Sequence, residues 1–448
     1  MSWLFRSFEI FDSRIAIVDR SVEYSYLQLG NQIDEFKIEL DKSILDGKVV
    51  AILASYNFYS IALFFALLEK KIIIVPIVST NNKEINKRLR IVDCDVVISL
   101  HNDNLEIKHH ESSPTHLMIQ DLIASGQSGL IIFSSGSTDE PKAMVHNLDK
   151  LIDSYQGRKL KKINILIFLM FDHIGGLNTL LNALSIGAKI VLPENRSPEY
   201  IASLIEQHSI QILPVSPTFL NMMLMTQVQD KYNLSSLRMI TYGTESMPES
   251  LLRKLKSAFP KTKLLQTFGT SETGITKTSS RSSHSLDMKL DPLVSEYKII
   301  NGELWLKSKT QIIGYLNASM SSFTEDGWFR TGDLVEELSD GYIRIMGRSK
   351  EVINVGGEKV MPTEIESLVL ELDEVKDCIA YGQNNSITGQ IVALKVVTKK
   401  NVIPKDLKAL IRKHCKAQLD NYKIPVKIEF VDKLELSNRF KKKRNKLK

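Results

Sequence analysis

The chain has 448 residues, 43% hydrophobic and 25% charged, which describes a globular protein too long for a single core. Its formal charge of +6 is carried by the end: residues 439–448 hold seven basic side chains and no acid. Basicity is therefore a property of a tail and excludes a broad nucleic-acid-binding face.

In chain order, residues 49–53 read as a buried strand, 58–70 as a helix and 72–78 as a second strand. Residues 96–98 and 130–133 continue the series, followed by a strand at 165–169, a helix at 177–184 and strands at 189–192 and 212–215. Strands alternating with helices predict an α/β fold with largely parallel sheets. The pattern changes after about residue 275. Residues 297–300, 303–306 and 342–345 alternate apolar with polar and predict antiparallel strands wet on one face. The Ser/Thr-rich stretch 276–285 predicts an exposed loop. A small terminal unit begins near Gly347, with helices at 362–372 and 405–419 and strands at 378–381 and 392–397. Cys94, Cys378 and Cys415 are far apart, so neither a disulfide framework nor a zinc site is expected. A reducing, cytoplasmic compartment fits, with no signal peptide and no membrane span.

The apolar run 130–133 feeds Ser134-Ser135-Gly136-Ser137-Thr138-Asp139-Glu140-Pro141-Lys142. Small hydroxyl residues, a glycine and a lysine after a buried strand suit phosphate oxygens. Pro141 before Lys142 and Ala143 after it break the GK[ST] pattern of ordinary NTPases, which argues against γ-phosphate cleavage. Three more motifs follow in order: Thr267-Phe268-Gly269-Thr270-Ser271-Glu272, then Gly327-Trp328-Phe329-Arg330-Thr331-Gly332-Asp333, then residues 347–357 running into Pro362-Thr363-Glu364-Ile365-Glu366. Together they resemble the adenylate-forming superfamily of acyl-CoA synthetases, adenylation domains and luciferases.

That resemblance implies a large N-terminal domain, residues 1–346, of parallel-rich sheets and helices with a small β-barrel-like subdomain. A hinge at 347–351 and a small mobile α+β C-terminal domain at 352–448 would follow. It implies an ATP-dependent acid–thiol ligase that joins a fatty or aryl carboxylic acid to AMP, releases pyrophosphate and passes the acyl group to coenzyme A. Ser134, Ser135, Gly136, Ser137, Thr138 and Lys142 would hold the phosphates. Gly243, Thr244 and Glu245 would form the adenine turn, with Thr267, Phe268 and Gly269 beside it. Asp333 would take the ribose hydroxyls, and Arg348 would add to ribose or phosphate. Glu272, with Thr138, would hold Mg²⁺, and Ser271 would meet the α-phosphate. Lys350 falls at the hinge, and Gly356 and Gly357 on the thiol side. Lys441 would contact the acid and the α-phosphate.

Plain structural readings stand beside these roles: a β-turn acid at Asp333, a hairpin at Gly356-Gly357, a helix-capping pair at Thr270 and Glu272, a solvated tail at Lys441. The chain also departs from the pattern. Asp139 stands in place of glycine, Glu435 in place of proline and Phe440 in place of glycine, and Lys442 or Lys443 competes with Lys441. In the acid pocket, Asp172 is a candidate for binding a substrate ammonium. Ungapped counting puts His173 at the acyl gate and Ile174 at the ammonium position, which favours a simple carboxylic acid; His173 as a core histidine is the plain alternative. An acyl carrier protein as acceptor, a degenerate non-catalytic binding protein, and monomer or dimer remain open.

Overall fold

Runs of Ile and Val that are buried on both faces form the centre of the first sheet. The strand Ile73–Ile77 is buried at every position. It pairs in parallel with Val49–Leu53 on one side and Gly129–Phe133 on the other, and Val49–Leu53 pairs in parallel with Val96–His101. Antiparallel strands finish both edges: Asn104–His109 at one, Ala143–Asn147 and then Gly314–Tyr315 at the other. A computed structural model describes residues 2–43, 48–101, 104–110, 116–134, 140–399, 402–437 and 440–444. The chain divides into two units: residues 1–214, 269–276 and 307–329 form one, and residues 215–268, 277–306 and 330–448 the other.

In the first unit the helix Phe58–Glu69 is apolar nearly all round and almost wholly buried, and Asn57 and Ser60 close its start with a capping box. Burial of each such large apolar side chain stabilises by about 1.5–3 kcal/mol. A second parallel set runs Ile212–Val215, Asn164–Leu166, Lys189–Leu192, Ile15–Asp19, with Val22–Ser25 antiparallel at its edge. The strand expected at 165–169 stops at Leu166, and the chain turns toward the helix Ile174–Ser185. That turn requires Gly176, where a Cβ would stand 2.1 Å from the Met170 carbonyl oxygen.

The second unit holds the parallel pair Met239–Tyr242 and Lys263–Gln266, and a six-stranded antiparallel sheet around Met288, Leu290, Leu304, Leu306, Val335 and Ile343. The stretch expected as a loop at 276–285 contains the strand Thr278–Ser280. Its hydroxyls join the ladder: Thr278 Oγ1 donates to the Gln266 carbonyl at 2.6 Å, and Ser280 Oγ accepts from the Gln266 N–H at 3.0 Å.

The C-terminal region has its own core, including Ile353, Val360, Ile365, Val369, Leu394, Val396, Ile411 and two of the three buried free cysteines. Its long strands Val375–Asn385 and Gly389–Thr398 pair antiparallel, and Lys427–Phe430 joins the latter in parallel. The helices Pro362–Val369 and Pro404–Lys416 both start with proline, which the first turn tolerates. The first is shorter than expected. No helix among the described residues is long and apolar enough to cross a membrane.

Candidate active site

The first unit carries the segment expected to hold phosphates. It opens where the strand Gly129–Phe133 ends and closes at Lys142, whose N–H donates to Ser134 Oγ at 3.1 Å while the Ser134 N–H donates to the Lys142 carbonyl at 3.0 Å. Ser135, Gly136, Ser137, Thr138 and Asp139 lie outside the described residues. Asn317 clamps the exit: its Oδ1 accepts from the Ala143 N–H at 2.9 Å and its Nδ2 donates to the Pro141 carbonyl at 3.0 Å. The Lys142 ammonium lies 5.2 Å from the centre of the Tyr315 ring, and Tyr315 Oη donates to Glu272 Oε1 at 3.1 Å. Lys142, Tyr315 and Glu272 are therefore brought together. Burial and the Glu272 carboxylate hold the Tyr315 hydroxyl well above the usual range, so it remains a donor.

Ser271 and Glu272 sit at the turn of a hairpin made by Phe268–Thr270 and Gly274–Thr276, where helix capping has no place. Thr270 Oγ1 accepts from the Thr273 N–H at 3.0 Å, and the Ile312 N–H donates to the Glu272 carbonyl at 2.8 Å. Gly269 is needed because a Cβ there would stand 2.6 Å from the Gly274 oxygen. His146 is buried, and burial pushes its pKa down to about 4, with the backbone of Thr310 and Ser271 opposing. It is neutral at pH 7 and serves as packing. Among the described residues, no group of three or more His, Cys, Asp or Glu side chains is placed to hold a metal ion. One partly exposed carboxylate, Glu272, does not make a resident metal site, but it fits magnesium arriving on ATP, which keeps its waters and phosphate oxygens.

At the acid-pocket segment, His173 caps the helix Ile174–Ser185, its Nδ1 accepting from the Gly175 N–H at 3.0 Å. Asp172 is 2% exposed, and its Oδ2 pairs with Arg88 Nη1 at 2.9 Å. Arg88 thus already balances the negative charge that a substrate ammonium would seek.

In the second unit, Gly243 permits a close backbone approach: a Cβ would stand 2.6 Å from Thr267 Oγ1 and 2.7 Å from its carbonyl oxygen. The Thr267 N–H donates to the Tyr242 carbonyl at 2.7 Å. Thr244 follows at φ +72, a strained conformation for a β-branched residue. Glu245 caps the helix Pro217–Met225 through the Thr218 N–H at 2.7 Å. Burial pushes its carboxyl up, against the Thr218 hydrogen bonds and the charges of Lys442 and Lys441. The Phe268 ring packs against the core of the six-stranded sheet.

Asp333 and Arg348 are cross-strand partners, with Arg348 Nε 2.9 Å from Asp333 Oδ1. Thr331 Oγ1 accepts from the Asp333 N–H at 3.0 Å, and Arg348 Nη1 donates to the Thr331 carbonyl at 2.8 Å. Asp333 Oδ2 is buried with no hydrogen-bond donor among the described residues. Burial raises this carboxyl to about 6, with Arg348 and Thr331 opposing. Lys350 lies exposed in the short turn Ser349–Glu351. Gly356 and Gly357, at φ +60 and +95, form the two-residue turn of the hairpin Ile353–Val355/Glu358–Val360, with open space around both Cβ positions.

The tail forms a tight loop. The Ser437 N–H donates to the Lys441 carbonyl at 2.8 Å, and Ser437 Oγ accepts from the Lys441 N–H at 3.2 Å. Phe440 has φ +52, which shows why glycine suits this position. The strain, about 1–2 kcal/mol, is offset by a T-shaped contact with Phe219 at 5.5 Å and by Ser216 Oγ donating to the Phe440 carbonyl at 3.0 Å.

The model of the AMP-binding enzyme family matches residues 4–315, and that of the AMP-binding enzyme C-terminal domain matches residues 364–441. The chain belongs to the AMP-binding enzyme family. This AMP-binding enzyme is 25% identical to a 2-succinylbenzoate–CoA ligase of Bacillus pumilus, the alignment covering 100% of the chain and 97% of the relative. It is 30% identical to an indoleacetate–CoA ligase of Aromatoleum aromaticum over 68% of the chain and 64% of that relative. Its fold matches the anthranilate CoA ligase AuaEII in complex with anthranoyl-AMP at a TM-score of 0.84, with 21% identity and coverage of 100% and 95%. ATP-bound MatB from Rhodopseudomonas palustris follows at 0.81, with 19% identity and coverage of 97% and 96%. The AMP-binding enzyme is thus an adenylate-forming ligase, with a large N-terminal and a smaller C-terminal domain.

Of the residues expected at the site, Lys142, Ser271 and Glu272 belong to the first unit, and Gly243, Asp333, Arg348 and Lys441 to the second. Sequence reasoning missed Tyr315, Asn317, His146 and Arg88. Only His146 had a local signal, lying in the buried strand just after the loop; the others arrive from remote segments.

Proposed function

We propose that this enzyme activates a simple carboxylic acid, aryl or fatty, as acyl-AMP and transfers the acyl group to coenzyme A. A carboxylate oxygen attacks the α-phosphorus of Mg·ATP, a new O–P bond forms, and the bond to the β-phosphate bridging oxygen breaks with its electrons leaving on pyrophosphate. Coenzyme A thiol then attacks the acyl carbon, the thiol proton is lost, and AMP departs. The protein supplies no nucleophile; it aligns anions and offsets their charge.

The observation that carries this reading is Asp333: a buried carboxylate with one oxygen paired to Arg348 and the other without a donor among the described residues. Such an oxygen suits a ribose hydroxyl. Gly243, which lets Thr267 approach the backbone closely, would sit beside adenine, and Lys142 with Glu272 would face the outer phosphates and their magnesium. Lys441 would stabilise charge at the α-phosphate. Gly356 and Gly357 would admit the thiol arm, and a swing at residues 347–351 would exchange the two steps. The Arg88–Asp172 pair supports a simple acid over an amino acid, and the named activities of the aryl-acid ligases it resembles point the same way. A pyrophosphate-exchange screen over aryl, fatty and amino acids tests this. Exchange with an aryl or fatty acid supports it; exchange with amino acids only refutes the substrate class.

A further inference from the structure

Lys142 and Glu272 carry opposite charges within the first unit, yet among the described residues neither enters an ion pair. Both meet Tyr315 instead. The Lys142 ammonium lies 5.2 Å from the centre of the Tyr315 ring, inside the range of a cation–π contact. The Tyr315 hydroxyl donates to Glu272 Oε1 at 3.1 Å. Sheet register produces the first contact. Tyr315 is the cross-strand partner of Met144, two residues after Lys142. Opposed residues of an antiparallel pair share a face, and side chains two apart along a strand return to it. Lys142 stands one residue before its strand begins, and its carbonyl extends the ladder by accepting from the Ser134 N–H at 3.0 Å. The residues around Tyr315 produce the second contact. The Ile312 N–H donates to the Glu272 carbonyl at 2.8 Å, the Ile313 N–H to the Val145 carbonyl at 2.7 Å and the Leu316 N–H to the Ala143 carbonyl at 3.0 Å. One short segment thus grips the Glu272 backbone, the Glu272 carboxylate and the strand that follows Lys142. Tyr315 itself is 5% exposed, so packing fixes its place.

Opposite charges on flexible side chains attract one another when nothing stands between them. A partly exposed pair of that kind adds little stability, but it would withdraw both charges from a ligand. A tyrosine avoids this outcome. Its ring accepts the cation without neutralising it, and its hydroxyl holds the carboxylate without acting as a counter-ion. Burial and the Glu272 carboxylate keep that hydroxyl protonated. We propose that Tyr315 is a positioning residue that holds Lys142 and Glu272 apart, so that both charges remain available to Mg·ATP. This rests on the phosphate and magnesium roles proposed for Lys142 and Glu272.

The test is an equilibrium titration of the intact chain with ATP in EDTA, which needs no turnover. Wild type, Tyr315→Phe, Glu272→Gln and the double variant form a cycle. Tyr315→Phe keeps the ring and loses the donor, so the melting temperature should stay close to that of wild type. Glu272 is then released toward Lys142, and the Kd for ATP should rise about three- to fivefold, the scale of a partly exposed ion pair. With Glu272→Gln no anion is left to capture Lys142, and adding Tyr315→Phe should leave the Kd unchanged. An equal loss with and without Glu272→Gln would reduce Tyr315 to packing, and no loss in either would show that the charges need no spacer; each result overturns the proposal. Lys142→Ala that binds ATP as tightly as wild type, or wild type that binds none, would overturn the phosphate role of Lys142 itself, and the spacer with it.

Discussion

Two residues of the second unit expose the chemistry most directly. Lys441 takes the lysine position of the terminal motif, and its neighbour Lys442 pairs with Asp377. Lys441→Ala should lower pyrophosphate exchange by on the order of 10²-fold, the scale for one lost charge stabiliser, while thioester formation from supplied acyl-AMP persists; parallel loss of both would remove Lys441 from the first step. Asp333 sets a pH dependence. Its folded pKa of about 6 lies above the ordinary value of 3.8. Its contribution to stability is therefore full below 3.8 and is lost as pH rises through about 6. The ionised form above that pH is the one that, in the proposed role, would accept ribose hydroxyls. ATP should bind more tightly as pH climbs through about 6, and Asp333→Asn should flatten that rise. Titrations of both proteins at fixed ionic strength give the difference, and identical profiles would contradict the ribose assignment.

At the scale of elements, the chemistry depends on turns as much as on strands. Gly243→Ala would place a Cβ within 2.7 Å of Thr267, so the turn must widen; a stability loss of about 1–3 kcal/mol and weaker ATP binding are expected by denaturation and titration. Gly356→Asn separates hairpin from thiol site. Asn tolerates the left-handed conformation, so the melting temperature should hold while thioester formation slows and exchange does not; an unchanged thioester rate leaves the pair as a turn alone. The sequence was legible where period and length agreed, as in the wholly apolar strand Ile73–Ile77 and helix Phe58–Glu69. It misled where side chains replaced backbone partners, as Thr278 and Ser280 do in a strand that composition reads as loop. The position of Phe440 looked like a lost glycine; its positive φ and its contact with Phe219 show a bulky residue meeting the same backbone demand.

Across the whole molecule, the motif order made the family legible, and the matched models spanning residues 4–315 and 364–441 bear that out. What stayed hidden were partners far apart in sequence: Tyr315 beneath Lys142, Arg88 against Asp172, Asp377 against Lys442. No local pattern encodes such pairs, because each depends on how remote strands are brought side by side. They also recast the basic tail. Lys442 and Arg444 are neutralised within the terminal domain, where Asp377 and Glu366 outweigh the cost of burial and raise both cations above their ordinary range. Those charges are therefore spent inside the fold and do not form a nucleic-acid surface. The most direct measurement supplies Mg·ATP, an aryl or fatty acid and coenzyme A to the intact chain and identifies the products by mass. AMP, pyrophosphate and the acyl thioester, formed only when the acid is present, are expected; ADP and phosphate, or AMP released without regard to the acid, would contradict it.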